Sequence, residues 1–355
     1  MGVICGNSYK ITKRDLNEII VENDDFSFVY SVYSSLFILN KFKNFILNYK
    51  SKNNIYIGKT LKEIFKQNPD KEKNNRINNS KKIIYRIKKK KNNFGKTAGS
   101  IIIQILDLLN EEQIEGKYQR HSDNFANINN LIALQNYVES HQKLYLNNDF
   151  SNLFHGLLKR KIIVNQNIFY SYECFSYIEL NLVDIYNKLL TEGRVISNSF
   201  NPPKINLIDA IREEFSSRKS IFNFCQSVEE KSIHSTAPYL IFILNSQKSS
   251  NNQIYNFFNY GIFVYDQEIN ISCLVENPEN KNKYKISSII KEKSINNINS
   301  NSNNNDCNCK YIYNNVDKCG QFYYYENNSK IPGIFNKPGY YDHVLIYKQL
   351  KDETQ

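Results

Sequence analysis

Apolar residues recur along this chain in two rhythms. Over residues 26–49, Phe28, Val32, Leu36, Leu39 and Phe42 fall near helical spacing, with Asp24 and Asp25 placed as N-caps. Residues 61–67 predict a short helix. Residues 100–110 predict a longer one, with Ile102, Ile105, Leu106 and Leu109 on one face. Residues 128–146 repeat the pattern through Leu131, Leu134, Tyr137, Val138 and His141. Between these, residues 68–93 are a low-complexity Lys/Asn stretch that reads as an inserted loop.

The C-terminal third has the other rhythm. Thr236-Ala237-Pro238-Tyr239-Leu240-Ile241-Phe242-Ile243-Leu244-Asn245 is an apolar run entered through a proline and too short for a helix, which predicts a buried strand. Five more short aromatic or β-branched runs follow, at 262–265, 284–290, 309–313, 321–325 and 343–347. Together the six predict an antiparallel sheet. The Asn/Ser tract 294–306 reads as a flexible insertion between two of its strands.

Composition supports a packed α+β protein. The chain has 355 residues, 41% hydrophobic and 14% aromatic, with Tyr and Phe supplying the bulk in place of Trp. Its net charge of +11 gathers in part at Lys81-Lys82, Arg86 and Lys88-Lys89-Lys90-Lys91. No helix-turn-helix, zinc finger or RNP-type motif accompanies that run. It therefore reads as a solvated segment, and nucleic acid is not an expected partner. Seven scattered cysteines, no signal-peptide pattern and no apolar run of about 18 residues predict free thiols, a cytoplasmic or nuclear setting and no membrane partner. Met1-Gly2 with Cys5 suggests acylation, but Gly6 stands where the myristoylation pattern wants Ser or Thr.

Several of these stretches, in order, resemble the boxes of the ubiquitin-specific proteases (peptidase C19). Ser27-Phe28-Val29-Tyr30-Ser31-Val32-Tyr33-Ser34-Ser35-Leu36-Phe37 is similar to the family's Cys box. Phe150-Ser151-Asn152-Leu153-Phe154-His155-Gly156 resembles the Leu-Phe-x-Gly strand that opens the fingers. Glu173 to Leu180, and Asn206 to Phe215, resemble the strand and short helix that follow. Pro238 to Asn245, Lys283 to Ile290, Lys310-Tyr311-Ile312-Tyr313, Tyr323 to Ile331 and His343 to Lys348 resemble the strands of the final section. The Gln-Asp-Ala-x-Glu-Phe motif of the family has no counterpart in the chain.

The resemblance implies a papain-like α+β fold over 1–355 as one domain. Residues 1–147 would form a mostly helical thumb with the basic insertion 68–93. Residues 148–348 would form β fingers and palm, with the insertion 294–306. It implies ubiquitin or a ubiquitin-like modifier as partner, and ubiquitinated proteins with it. The triad places fall on Ser27, Lys310 and Asn327, with Glu326 if the register slips by one. Serine lacks the accessible anion of a thiol, and an ordinary lysine is protonated near pH 7 and accepts no proton. The expected protein is thus a non-catalytic, ubiquitin-binding or scaffolding relative. The alternatives are an active deubiquitinase with a different triad and an interaction module that has lost ubiquitin. The family's zinc pairs fall on Val164 with Asn167 and on Cys225 with Val228, one thiol in four, so no metal or other cofactor is expected. Cys307, Cys309 and Cys319, close together in sequence, also read as free thiols. The five histidines, His121, His141, His155, His234 and His343, read as ordinary surface or core residues.

Overall fold

The computed structural model describes residues 26–50, 56–67, 73–91, 95, 97–114, 148–164, 167–194, 204–216, 218–222, 225–245, 263–276, 282–294, 309–316, 322–326, 329–332 and 341–350. The helices are α1 (Ser27–Phe37), α2 (Asn40–Leu47), α3 (Ile57–Lys66), α4 (Lys73–Lys90), α5 (Ala98–Ile114), α6 (Ser151–Phe154), α7 (Leu182–Thr191) and α8 (Leu207–Phe215). The strands are β1 (Gly156–Val164), β2 (Asn167–Phe175), β3 (Ile178–Asn181), β4 (Ile205–Asn206), β5 (Arg218–Phe222), β6 (Cys225–Ser235) and β7 (Tyr239–Asn245). They continue as β8 (Phe263–Val264), β9 (Glu268–Asn270), β10 (Lys283–Ser294), β11 (Cys309–Val316), β12 (Phe322–Glu326), β13 (Ser329–Pro332) and β14 (Tyr341–Gln349). The chain divides into two compact units, 1–116 with 288–341 and 117–287 with 342–355, so one of its three crossings falls inside β10 at Ser287/Ser288.

The first unit holds α1 to α5 and the antiparallel strands β10 to β13. The apolar run at 26–49 is two helices rather than one. Leu39 adopts an extended backbone (ψ 94°) that breaks them, while its buried side chain stays in the core. Val29, Val32, Tyr33, Leu36 and Phe37 are the buried face of α1, and Phe42 and Ile46 that of α2. Rings from three helices meet edge to face, Phe37 on Phe65 at 5.1 Å and Phe42 on Phe65 at 6.1 Å. Helix α5 contains the expected 100–110 helix and begins where the Thr97 hydroxyl accepts from the Ser100 N–H at 3.1 Å.

Two local expectations are corrected in this unit. Phe26 takes the cap position of α1 and makes no side-chain cap bond; Asp24 and Asp25 lie outside the described residues. The Lys/Asn stretch is no loop, for most of it is α4. Ser80, Ile83, Ile84 and Ile87 recur at helical spacing and are fully buried, so a narrow apolar stripe holds the helix on its neighbours. Composition hid that stripe among lysines and asparagines. The helix expected over 128–146 lies outside the described residues.

The second unit contains a four-stranded antiparallel finger sheet, ordered β2-β1-β6-β5. Gly156 opens β1 because a side chain there would collide with the Phe175 ring and the Ser235 carbonyl, both within 2.6 Å of where its Cβ would stand. Ser151–Phe154, expected as part of the strand, form the short helix α6 instead. Its first turn is closed by the Asn148 side chain, which accepts from the Ser151 N–H at 2.8 Å. In the same unit β7 is buried along nearly its whole length between β14, antiparallel, and β3, parallel. Pro238 enters it as expected, and its carbonyl accepts from the Gln349 N–H at 2.8 Å. The six C-terminal runs are therefore not all partners in one antiparallel sheet. β8 pairs in parallel with β4 in a separate two-stranded ribbon, and β3 adds a parallel neighbour to β7. The α8 helix begins where expected, with the Asn206 side chain accepting from the Asp209 N–H at 2.8 Å.

Candidate functional site

The candidate site belongs to the first unit. Ser27 is the first residue of α1 and is partly exposed. The first turn closes through Val29 and Tyr30 N–H groups donating to the Phe26 carbonyl at 3.1 and 3.0 Å. A helix N-terminus carries a partial positive charge and N–H groups aimed along the axis, the surroundings that favour an anion or a developing oxyanion. α1 packs along β11. Further along the helix, Ser288 of β10 donates its hydroxyl to that of Ser35 at 2.9 Å, and both residues are fully buried. This bond couples the helix to the sheet across 253 positions of sequence.

Lys310 is the second residue of β11, opposite Lys293 on β10. The structure thus packs the helix that Ser27 opens onto the strand that carries Lys310. Glu326 ends β12 opposite Ser329 of β13, and Asn327 lies outside the described residues. The antiparallel register, Asn314 opposite Tyr324, puts the start of β11 and the end of β12 at the same edge of the sheet.

Cys309 opens β11 next to Lys310, opposite Ser294 of β10; the other cysteines and histidines among the described residues lie elsewhere. Cys174 is on β2, where burial, helped by the neighbouring Glu173 charge, pushes its thiol up to about 12, so no useful thiolate forms near neutrality. Cys273 is exposed on a short turn. His155 is buried edge-on against Phe150 at 5.4 Å, and His343 is buried in β14. His234 sits on the finger sheet. Its Nδ1 is 3.1 Å from Glu276, which also accepts from Lys159 at 2.7 Å and from Ser232 at 3.0 Å. Burial alone would raise the Glu276 carboxyl, but these donors outweigh it and hold it at about 2. That cluster reads as a cross-strand ion-pair network. His121 and His141 lie outside the described residues.

The zinc places gather at one end of the finger sheet. Val164 is opposite Asn167 on β2 and Ser227 on β6, Ile163 is opposite Val228, and Cys225 is opposite Phe222. The backbone has the form of two hairpin ends side by side, but valine and asparagine supply no thiolate, and this donor set does not fit zinc. Among the described residues no group of three or more His, Cys, Asp or Glu side chains could hold a metal ion.

Sequence reasoning missed one half-buried carboxylate of this unit. Glu112 of α5 accepts from the Tyr49 hydroxyl at 2.8 Å and from the Ile57 and Gly58 N–H groups at 2.5 and 3.1 Å. It caps α3 from 54 residues away, and nothing local to α3 signals it.

No family model matches the chain, and no curated protein matches it by sequence. Solved structures do match. The SAGA Ubp8/Sgf11/Sus1/Sgf73 DUB module bound to ubiquitin aldehyde is 12% identical with a TM-score of 0.59, covering 92% of this chain and 68% of that one. The yeast SAGA DUB module with a mutant Sgf73 is also 12% identical at 0.59, covering 92% and 66%. A further SAGA DUB module containing a Ubp8 variant is 14% identical at 0.60, covering 94% and 67%. The fold is that of the ubiquitin-specific proteases, α+β and papain-like, as the ordered boxes implied. The chain spans about two thirds of the length of these neighbours. Among the described residues no helix is long and apolar enough to cross a membrane.

Proposed function

We propose that this chain binds ubiquitin or a ubiquitin-like modifier through its ubiquitin-specific-protease fold without cleaving it. One observation carries the reading. The helix that opens with Ser27 packs on the strand that carries Lys310, and the resemblance gives these two residues the places of the family's cysteine and histidine. The fold likeness to a DUB module bound to ubiquitin aldehyde supports the choice of partner. In the active chemistry a thiolate attacks the carbonyl after a histidine takes its proton, and an acidic or amide side chain orients that histidine. Asn327 suits the orienting role. A serine hydroxyl needs a base to ionise, and a protonated ammonium relieves it of nothing.

The test uses the full chain. Ubiquitin binding by calorimetry is expected, with no turnover of a ubiquitin–fluorophore substrate and no adduct with an electrophilic ubiquitin probe. Ser27→Cys alone is expected to label little. Ser27→Cys with Lys310→His supplies both missing groups and is expected to label. Labelling of the unmodified protein, mapped to a cysteine by peptide mass, would overturn the reading in favour of an active deubiquitinase. Absence of ubiquitin binding would leave an interaction module for another partner.

A further inference from the structure

The basic stretch becomes informative once it is a helix. Residues 26–114 contain eighteen Lys and Arg against six Asp and Glu, a surplus of twelve, while the whole chain carries +11. The net charge of the protein therefore sits in its helical segment. Residues 73–91 concentrate it, with nine Lys and Arg and no acid. The eighteen residues of α4 extend about 27 Å.

The helix is two-faced. Ser80, Ile83, Ile84 and Ile87 are buried. Arg86 is buried with them and donates through Nε to the Thr60 hydroxyl at 3.3 Å. The opposite face presents Asn78, Lys88 and Lys89 as exposed residues, and Lys81, Lys82 and Tyr85 as partly exposed ones. Lys89 Nζ lies 5.5 Å over the Tyr85 ring. Lys91 is bonded to Glu111 at 2.6 Å and so belongs to the fold. Lysines in a last turn stabilise a helix by complementing its dipole, which accounts for Lys88 to Lys90. It does not account for Lys81 and Lys82, two turns earlier.

We propose that the outer face of α4 is a docking surface for the phosphate backbone of duplex DNA. The proposal stands apart from the ubiquitin reading. Charge complementarity selects the occupant. A duplex presents one negative charge per ~1.7 Å of axis and rewards a linear array of cations with no acid among them. The face carries one aromatic residue, Tyr85, whereas a single strand needs successive stacking platforms. The apolar stripe of the helix is already buried and leaves only Ile77 exposed, too little apolar surface for an interfacial membrane helix. A protein partner would need buried aromatic or aliphatic anchors, and the exposed large hydrophobic of this helix, Ile77, stands alone.

The experiment measures binding of the full chain to a fluorescent duplex of about 20 base pairs as salt is raised. Expected is binding at low salt with log affinity falling linearly against log salt. Lys82→Gln with Lys88→Gln and Lys89→Gln is expected to weaken it at least tenfold and to flatten the slope by about two to three, near 0.9 per phosphate lost. Lys88 and Lys89 are exposed and Lys82 partly so, and a circular dichroism spectrum like the parent's at the assay temperature checks that the variant folds. Lys204→Gln with Lys348→Gln, both exposed in the second unit, is expected to change neither quantity. No binding to the duplex, or a triple variant that binds like the parent, would overturn the proposal. Tighter binding of an oligothymidylate or of polyglutamate would also overturn it, pointing to a single strand or to an acidic protein.

Discussion

Removing the Glu112 carboxylate tests whether the helical unit is held together by long-range capping. Tyr56, the cap residue of α3, makes no side-chain cap bond. The carboxylate of Glu112 takes over, with one oxygen on the Ile57 N–H and the other shared by the Gly58 N–H and the Tyr49 hydroxyl. Glu112→Ala strands three donors in a partly buried place. Loss of an N-cap costs ~1 kcal/mol, and each buried donor left without an acceptor costs ~1–3 kcal/mol, so about 3 kcal/mol is expected after water reaches some of the gap. Glu112→Gln keeps one acceptor but turns an amide NH₂ toward the remaining donors, and should cost less than alanine. The pH dependence separates charge from shape. Burial raises the Glu112 carboxyl above its ordinary value, and the bonds from Gly58, Tyr49 and Ile57 offset this only in part. The folded state then binds more protons than the unfolded one between the ordinary and the raised value, so stability falls as pH rises through that window. Glutamine has no such dependence. The gap between the parent and Glu112→Gln should therefore widen as pH falls from neutrality toward the carboxylate range. Urea unfolding from pH 5 to 7.5 measures both effects. An alanine variant within about 0.5 kcal/mol of the parent, or a gap that narrows as pH falls, would refute the reasoning.

Gly193 ends α7 with φ 66°, the Arg194 N–H bonded to the Leu189 carbonyl and the Gly193 N–H to that of Leu190. Gly193→Ala should lose about 1 kcal/mol by thermal unfolding, because no side chain crowds the site and only the left-handed backbone is penalised. Glu213 is buried, and although burial raises its carboxyl, bonds from Lys188 and Arg194 outweigh this and leave it lowered. Its contribution is present above the unfolded value and is lost as pH falls through the lowered folded one. Glu213→Ala should therefore be destabilised at pH 7, with the deficit shrinking in acid. Because Cys174 is held at about 12 while Cys273 is exposed, iodoacetamide at pH 8 should modify Cys273 in the native protein and Cys174 only after unfolding, as read by peptide mass.

Residues that pack by their own periodicity were legible in the sequence. α5 and β7 are long or strongly apolar; spacing located the centre of α5, though not its ends, and Pro238 marked where β7 begins. The α8 start followed from the resemblance over Asn206 to Phe215, and the structure shows Asn206 capping it. Low-complexity α4 passes for a loop because its buried stripe has only three apolar residues, Ile83, Ile84 and Ile87, too few to show against lysine and asparagine. The short helix α6 and the parallel pairings of β3 and β8 were also out of reach, since alternation within a strand carries no record of its partner.

The same division runs through the site. Sequence alone determined which chemical groups stand at the places the resemblance gives to a triad and a zinc site: Ser27, Lys310 and Asn327, and Val164, Asn167, Cys225 and Val228. Side-chain identity sets what a group can ionise, donate or ligate, and no fold changes a serine into a thiol. Only tertiary structure decided which groups are neighbours. The packing of α1 on β11, the Ser35–Ser288 bond and the capping of α3 by Glu112 each join residues tens to hundreds of positions apart. Such contacts form because burial of apolar faces brings distant elements together, and polar groups caught between them must then find partners. Local sequence sets the faces, and the choice of which faces meet belongs to the folded chain.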